Sequence, residues 1–426
     1  MKITIHRGID QIGGCITEIE SSSGARIIID LGHNLPDGEG NIIDDLATKE
    51  AVAKLTDGID AVLYTHYHGD HVGLSNLVPE NVPQYIGKVA REVCICKHKR
   101  LSKIKGRKAQ SLEEVATFEA MKFMTAGRYF KIEDIKVTPY FVSHSAYESF
   151  MFLIEVDGKK VLHTGDYRDH SYLGGGLEKM LKKYVKQVDI LITEGTMLSR
   201  NSEKVRSEQE LQATFAQIMA EYKNVFVISS STDLERLSTI KMAHREAKAK
   251  MPIVTDSFQK KIMKIFTENL KEKSALGLWD FGTIYNYRST NSKLLTWMRN
   301  RGFTMFIRSN GKYNDWLNEL LPKLKSSETI VIFSMWKEYV NEESKHAIQG
   351  YCDMFRRFDN RLTIHTSGHA SKGCIERVCK LTNPRLAIIP IHSERSADFQ
   401  NLNIGDELKA KVVLKSKAID DVVISV

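Results

Sequence analysis

Thr65-His66-Tyr67-His68-Gly69-Asp70-His71 follows directly on the apolar run Ala61-Val62-Leu63-Tyr64. The run reads as a buried strand, so the histidines and the aspartate occupy the loop at its C-terminal end. In that position His66 and His68 can turn toward one metal ion, while Asp70 and His71, further round the loop, face a second. Imidazole nitrogen with carboxylate oxygen suits zinc, and carboxylates also accept manganese. The alternative is a polar surface turn that happens to be rich in histidine. The density of H-x-H-x-D-H argues against it.

Further ligands must come from elsewhere in the chain, and three apolar runs end in suitable groups. Ser143-His144-Ser145 follows the strand-like Lys136–Val142 and offers a third imidazole for the first metal. Thr164-Gly165-Asp166-Tyr167 follows Lys160–His163 and offers a carboxylate that can bridge both. Ile388-Ile389-Pro390-Ile391-His392 offers the last ligand of the second metal. Asp30 ends another apolar strand, Arg26–Ile29, and resembles the first motif of a family of metallohydrolases, which implies a carboxylate that orients ligands rather than binding the ion. Taken singly, each of these groups is more often a turn residue. It is their conjunction that points to two metals.

These segments, in this order, resemble the signature of the metallo-β-lactamase superfamily. The resemblance implies an α/β fold, the αββα sandwich, and it orders the ligands as His66, His68, Asp70, His71, His144, Asp166 and His392. From Ser202 the texture changes. Ser207 to Lys223 reads as a helix, Asn224–Ser229 as a strand and Asp233 to Lys250 as a long basic helix. Ile253-Val254-Thr255 and Thr329–Phe333 are further strands separated by helical segments. Because His392 completes a site begun at His66, the second region is read as an insertion. The expected division is residues 1–205, an α/β cap at 206–360, and a return segment at 361–426.

A metallo-β-lactamase core with such a cap resembles the β-CASP nucleases, most closely in layout the bacterial RNase J group. Ile192-Thr193-Glu194-Gly195-Thr196, Thr366-Ser367-Gly368-His369-Ala370 and Ile389-Pro390-Ile391-His392-Ser393-Glu394 resemble three further motifs of that family. Phe333-Ser334-Met335-Trp336 and Ser229-Ser230-Ser231-Thr232-Asp233 with Arg236 resemble the cap's strand ends. Two departures stand out. The RNase J group usually carries an extra C-terminal domain, whereas this sequence stops at Val426, which puts that group's mode of oligomerisation, a homodimer among the options, in doubt for this chain. The family's glycine-rich N-terminal motif is altered to Gln11-Ile12-Gly13-Gly14-Cys15.

Composition agrees with a large enzyme. At 426 residues and 42% hydrophobic, the chain is expected to form two domains. No apolar stretch approaches the ~20 residues of a membrane span. No signal-peptide core opens the sequence, so a cytoplasmic location is expected. Six cysteines do not form a disulfide framework. Cys94, Cys96 and His98 lack the second half of a metal site. The net charge of +8, with seven Lys or Arg between Lys97 and Lys108, leaves room for a phosphate backbone.

The chemistry follows from the ligand set. Two metals sharing a hydroxide suit in-line attack on a phosphodiester, with Asp70 among the catalytic groups. His369, oriented by Glu194, is the candidate proton donor to the leaving oxygen. The run Thr366–Lys372 reads as the start of a helix. Ser367, Gly368, His369, Ala370 and Ser371 there can hold phosphate, assisted by Ser230 and Ser231. In the β-CASP family a histidine at the place of His392 accompanies RNA-processing members, so RNA is the expected substrate. The expectation is therefore a zinc-dependent ribonuclease with two Zn2+ per chain (Mn2+ being the alternative). The rival readings are a small-molecule hydrolase of lactones or thioesters and a silent RNA-binding subunit. The other histidines, such as His163, His170, His244, His346 and His365, are read as structural.

Overall fold

The computed structural model describes residues 1–36, 41–200, 204–248, 250–269, 277–414 and 422–425. The chain forms two compact units. One comprises Met1–Pro36, Ile42–Lys204 and Gly368–Val426, and the other is built on Val205–Ser367.

The first unit begins with strands β1 (Lys2–Arg7), β2 (Ile16–Glu20), β3 (Arg26–Ile29), β4 (Ala61–Leu63), β5 (Gln84–Gly87) and β6 (Lys122–Met124). These are followed by β7 (Phe130–Ile132), β8 (Ile135–Val142), β9 (Ser149–Val156), β10 (Lys159–His163) and β11 (Ile190–Glu194). The second unit contributes β12 (Asn224–Ser229), β13 (Ile253–Thr255), β14 (Ile284–Asn286), β15 (Phe303–Ile307), β16 (Thr329–Ser334) and β17 (Asn360–Thr363). The chain then returns to the first unit with β18 (Ala387–Ile391) and β19 (Val422–Ser425).

Two sheets make the first unit, in the orders β19-β1-β2-β3-β4-β5-β6 and β18-β11-β10-β9-β8-β7. Their sequences show why they stack. Along β9, Phe150, Phe152, Ile154 and Val156 enter one core together with Ile27, Ile29 and Leu63 of the other sheet. The alternate residues Met151 and Leu153 enter a second core with Ile375, Val378 and Cys379 of helix Lys372–Thr382. A strand buried on both faces must be largely apolar, as β9 is from Phe150 to Ile154. Each such side chain is worth about 1.5–3 kcal/mol of burial. Asp157 and Gly158, at φ +51° and +70°, close the β9–β10 hairpin, as their Asp-Gly pair predicts. The fold is the α/β sandwich that the sequence implies.

The second unit is a parallel sheet in the order β14-β13-β15-β12-β16-β17. Ser207 and Glu210 form a reciprocal capping box that starts helix Glu208–Glu221. The helix expected from Asp233 runs over Leu234–Lys248. Several of its charges, Glu235, Arg236 and Lys241, are buried. Arg236 pairs with Glu208 at 2.9 Å and donates to Ser334 Oγ at 2.7 Å. Among the described residues no helix is long and apolar enough to cross a membrane.

Candidate metal centre

Strand direction gathers the candidate ligands. β10, β11 and β18 are mutually parallel, and β8 runs the same way because β9 is antiparallel to both β8 and β10. His144, Asp166, Glu194 and His392 therefore all lie at the C-terminal edge of one sheet. β3 and β4, parallel in the other sheet, deliver Asp30 and the His66–His71 loop. Gly165, at φ +52°, lets the Asp166 loop press against its neighbour. A Cβ there would meet Thr65 Cβ at 2.9 Å and Phe150 O at 3.0 Å.

Two donor sets converge. His66 Nε2 lies 3.0 Å from His68 Nδ1, which lies 3.1 Å from His144 Nε2. The second set faces it: His71 Nε2 is 3.2 Å from Asp166 Oδ2, and His392 Nε2 is 3.2 Å from Asp70 Oδ2. Asp166 Oδ2 sits between them, 4.0 Å from His66 Nε2, 3.8 Å from His144 Nε2 and 3.7 Å from His392 Nε2. One carboxylate thus stands within reach of both sets.

The opposite ring nitrogens are tied down in a way that leaves metal-facing lone pairs. Asp30 Oδ2 accepts from His71 Nδ1 at 2.8 Å and also holds Thr65, whose N–H donates to Oδ1 at 2.7 Å. The carbonyl of Gly368 accepts from His144 Nδ1 at 2.7 Å. Thr196 donates its hydroxyl to His392 O at 3.1 Å and accepts from His392 Nδ1 at 2.7 Å. Each bond fixes a tautomer whose other nitrogen points into the centre.

The chemistry of the donors fits metal ions. Asp166 Oδ1 is buried without any hydrogen-bond partner, which is costly unless a cation takes it up, and His71 Nε2 faces the Asp166 carboxylate at 3.2 Å. Burial and the neighbouring imidazoles hold His66 well below the ordinary histidine value, and burial pushes His68 down to about 4. Burial opposes charge on Asp166 too, but His392 and His71 outweigh it and keep the carboxyl ionised. His66 and His68 are thus neutral, the state in which imidazole binds zinc, whereas His71, which burial alone would lower, is held well above the ordinary value by Asp166, Asp30 and Asp70 and would shed its proton on binding a metal.

His369 stands at the margin of the centre. Its Nδ1 is 3.0 Å from Glu194 Oε2, 3.2 Å from Thr196 Oγ1 and 3.6 Å from Asp166 Oδ2. Burial opposes protonation of this ring, but the Glu194 and Asp166 carboxylates prevail and raise it above the ordinary value. Glu194 is itself held by N–H groups of Tyr167 at 3.0 Å and Ala370 at 3.2 Å, both on Oε1.

Other expected groups fall differently. The helix expected from Thr366 begins only at Lys372, where Ser371 Oγ accepts from Cys374 N. His369 is therefore a loop residue. The amide of Ala370 is already given to Glu194, and Ser371 is a helix cap. Ser367, Ser230 and Ser231 belong to the second unit, the last two directly after β12. Cys94 and Cys96 lie in helix Lys88–Leu101, and His98 there pairs with Glu114. Thr65 and Thr196 are positioning residues to which the sequence reading gave no role. The signal was adjacency, since each stands within two residues of an assigned group.

Comparison with known proteins agrees with this geometry. Residues 26–226 match the family profile described as "Beta-lactamase superfamily domain". The chain is 24% identical to "Ribonuclease J" of Helicobacter pylori over 422 aligned residues, covering 92% of this chain and 56% of that protein. It is 29% identical to "RNase J-like protein" of Methanocaldococcus jannaschii, covering 46% of this chain and 42% of that one. "Integrator complex subunit 11" of Gallus gallus is 24% identical over half of this chain and 37% of its own length. The chain thus spans about half the length of these relatives, or less. A solved structure from Enterococcus faecalis V583, described as a protein of unknown function, superposes with a TM-score of 0.73 over 99% of both chains at 18% identity.

Proposed function

Because the chain belongs to the metallo-β-lactamase superfamily and is distantly homologous to ribonuclease J and Integrator subunit 11, we propose that it is a two-metal phosphodiesterase that cleaves RNA. The superfamily and the buried His/Asp clusters make it a hydrolase of metallo-β-lactamase fold. The observation that carries the finer reading is the His369–Glu194 pair, 3.0 Å apart, beside a carboxylate shared by two donor sets.

His66, His68, His144 and Asp166 would hold the first metal, and Asp70, His71, Asp166 and His392 the second. When bound, such a pair supplies Lewis acidity and activation of water. Cleavage of a phosphodiester also requires a proton for the leaving oxygen. Glu194 Oε2 holds His369 at Nδ1 and stabilises its charged form, so the ring can pass a proton from Nε2. Asp30, Thr65 and Thr196 keep the ligands' tautomers and orientations fixed. The inserted parallel sheet and the net charge of +8 offer a polyanion more surface than a lactone or thioester would use. RNA rather than DNA rests on the relatives named ribonuclease J and on His392.

The test is to incubate metal-loaded protein with end-labelled 5′-monophosphorylated RNA, 5′-triphosphorylated RNA, single-stranded DNA and a lactone or thioester substrate. The reading expects RNA to be cut in preference to DNA. Mononucleotides released from the 5′ end would mark exonucleolytic action, and internal fragments endonucleolytic action. Rapid turnover of the small ester with neither nucleic acid cut would overturn it.

A further inference from the structure

The altered turn Gln11-Ile12-Gly13-Gly14-Cys15 passes beneath the ligand loop. Gly13, at φ +81°, would place a Cβ 3.1 Å from Asp70 Cβ, so only glycine lets the turn lie this close. From there Cys15 N–H donates to Asp70 O at 3.2 Å, pinning residue 15 to the metal loop. Its thiol is buried at 1% exposure. Cys15 Sγ and the nitrogens of His71 and His392 all lie within 4.8 Å of one another. A second observation points into the same space. His71 Nε2, its ring fixed from behind by Asp30, is buried and faces Asp166 Oδ2 at 3.2 Å, while Asp166 Oδ1 is buried with no hydrogen-bond partner.

We propose that Cys15 is a thiolate ligand of the second metal, joining Asp70, His71, Asp166 and His392. On binding, the S–H bond breaks, a sulfur–metal bond forms and the proton leaves to solvent. Bonds of about 2.3 Å for Zn–S and about 2.0–2.1 Å for Zn–N would draw the three donor atoms, now within 4.8 Å of one another, closer together. A soft sulfur donor favours zinc over manganese, whose preferred donors are oxygens. Cys15 thereby becomes the residue that selects the metal at one site of the pair. This inference rests on the two-metal reading, and its test separates the two.

The chain is loaded with cobalt(II) and, separately, with zinc. A sulfur-to-cobalt charge-transfer band in the near ultraviolet and a sulfur shell at about 2.3 Å in the zinc absorption edge are expected in the wild type. Cys15→Ser should lose both signals, keep one cobalt at the His66–His68–His144 set, and bind the second zinc at least about 10–100-fold more weakly. Two metals bound by the wild type without sulfur in either spectrum would overturn the ligand role alone, as would a band that survives in Cys15→Ser. A wild type that binds no metal would overturn the two-metal reading with it. Should Cys15→Ser fail to fold, the wild-type spectra decide.

Discussion

His369→Ala and Glu194→Gln together probe the proposed proton donor. His369 Nδ1 sits 3.0 Å from Glu194 Oε2, and its carboxylate neighbours raise the ring above the ordinary histidine value against the opposing effect of burial. Removing the ring should lower turnover by about 10²–10⁴-fold, the usual scale of a lost acid–base group. That corresponds to about 2.7–5.4 kcal/mol of transition-state stabilisation. Both metals and RNA binding should be retained. Glu194→Gln isolates the electrostatic part, because an amide oxygen can still accept from the N–H groups of Tyr167 and Ala370. A general acid must be protonated to act, so activity falls as pH rises through its pKa. Losing the nearby carboxylate should move that alkaline limb toward acid. Single-turnover cleavage across pH, with metal analysis of each variant, measures all of this. If His369→Ala loses a metal or keeps near-normal turnover, the assignment is refuted. An alkaline limb unmoved in Glu194→Gln refutes the coupling.

Asp166→Asn should weaken both metals, since Asp166 Oδ2 lies within 4.0 Å of His66, His71, His144 and His392, whereas His392→Ala should cost only the second; metal content of the two proteins separates these outcomes. Asp30→Asn should bind the second metal about 10–100-fold more weakly, read by titration, because it orients His71 through the 2.8 Å bond without touching the ion. His244 lies in the second unit, and burial pushes it from 6.5 to about 4. With its folded value depressed, its contribution to stability is present above pH 6.5 and lost as pH falls toward 4. Between pH 7 and 5 that loss is about 2 kcal/mol, so thermal unfolding of His244→Gln should be less acid-sensitive than that of the wild type.

The candidate site was legible because several of the strands that lead to it, such as β4, β11 and β18, are buried along their whole length. Runs such as Ile388–Ile391 are apolar from end to end, so a charged or imidazole side chain at their C-terminus stands out. The second unit was harder to read. β15, Phe303–Ile307, pairs with β12 and β13 in the middle of its sheet, yet the sequence reading placed no strand there. A five-residue run with four apolar residues after a helix-like stretch does not distinguish strand from helix by periodicity. The signal was Gly302, whose φ of +84° ends helix Ser292–Arg301. The helix read from Thr366 starts instead at Lys372, because Ser371 caps it and the preceding backbone serves Glu194. Cys15 was visible only as a departure from a motif. Nothing in its spacing connects it to His71 and His392, which the fold brings beside it.

The number of transition-metal ions held per chain tests the central claim most directly. Elemental analysis of metal-replete protein after removal of loosely bound ions should find two equivalents, one for the His66–His68–His144 set and one for the Asp70–His71–His392 set, with Asp166 shared. One equivalent or none would contradict the account.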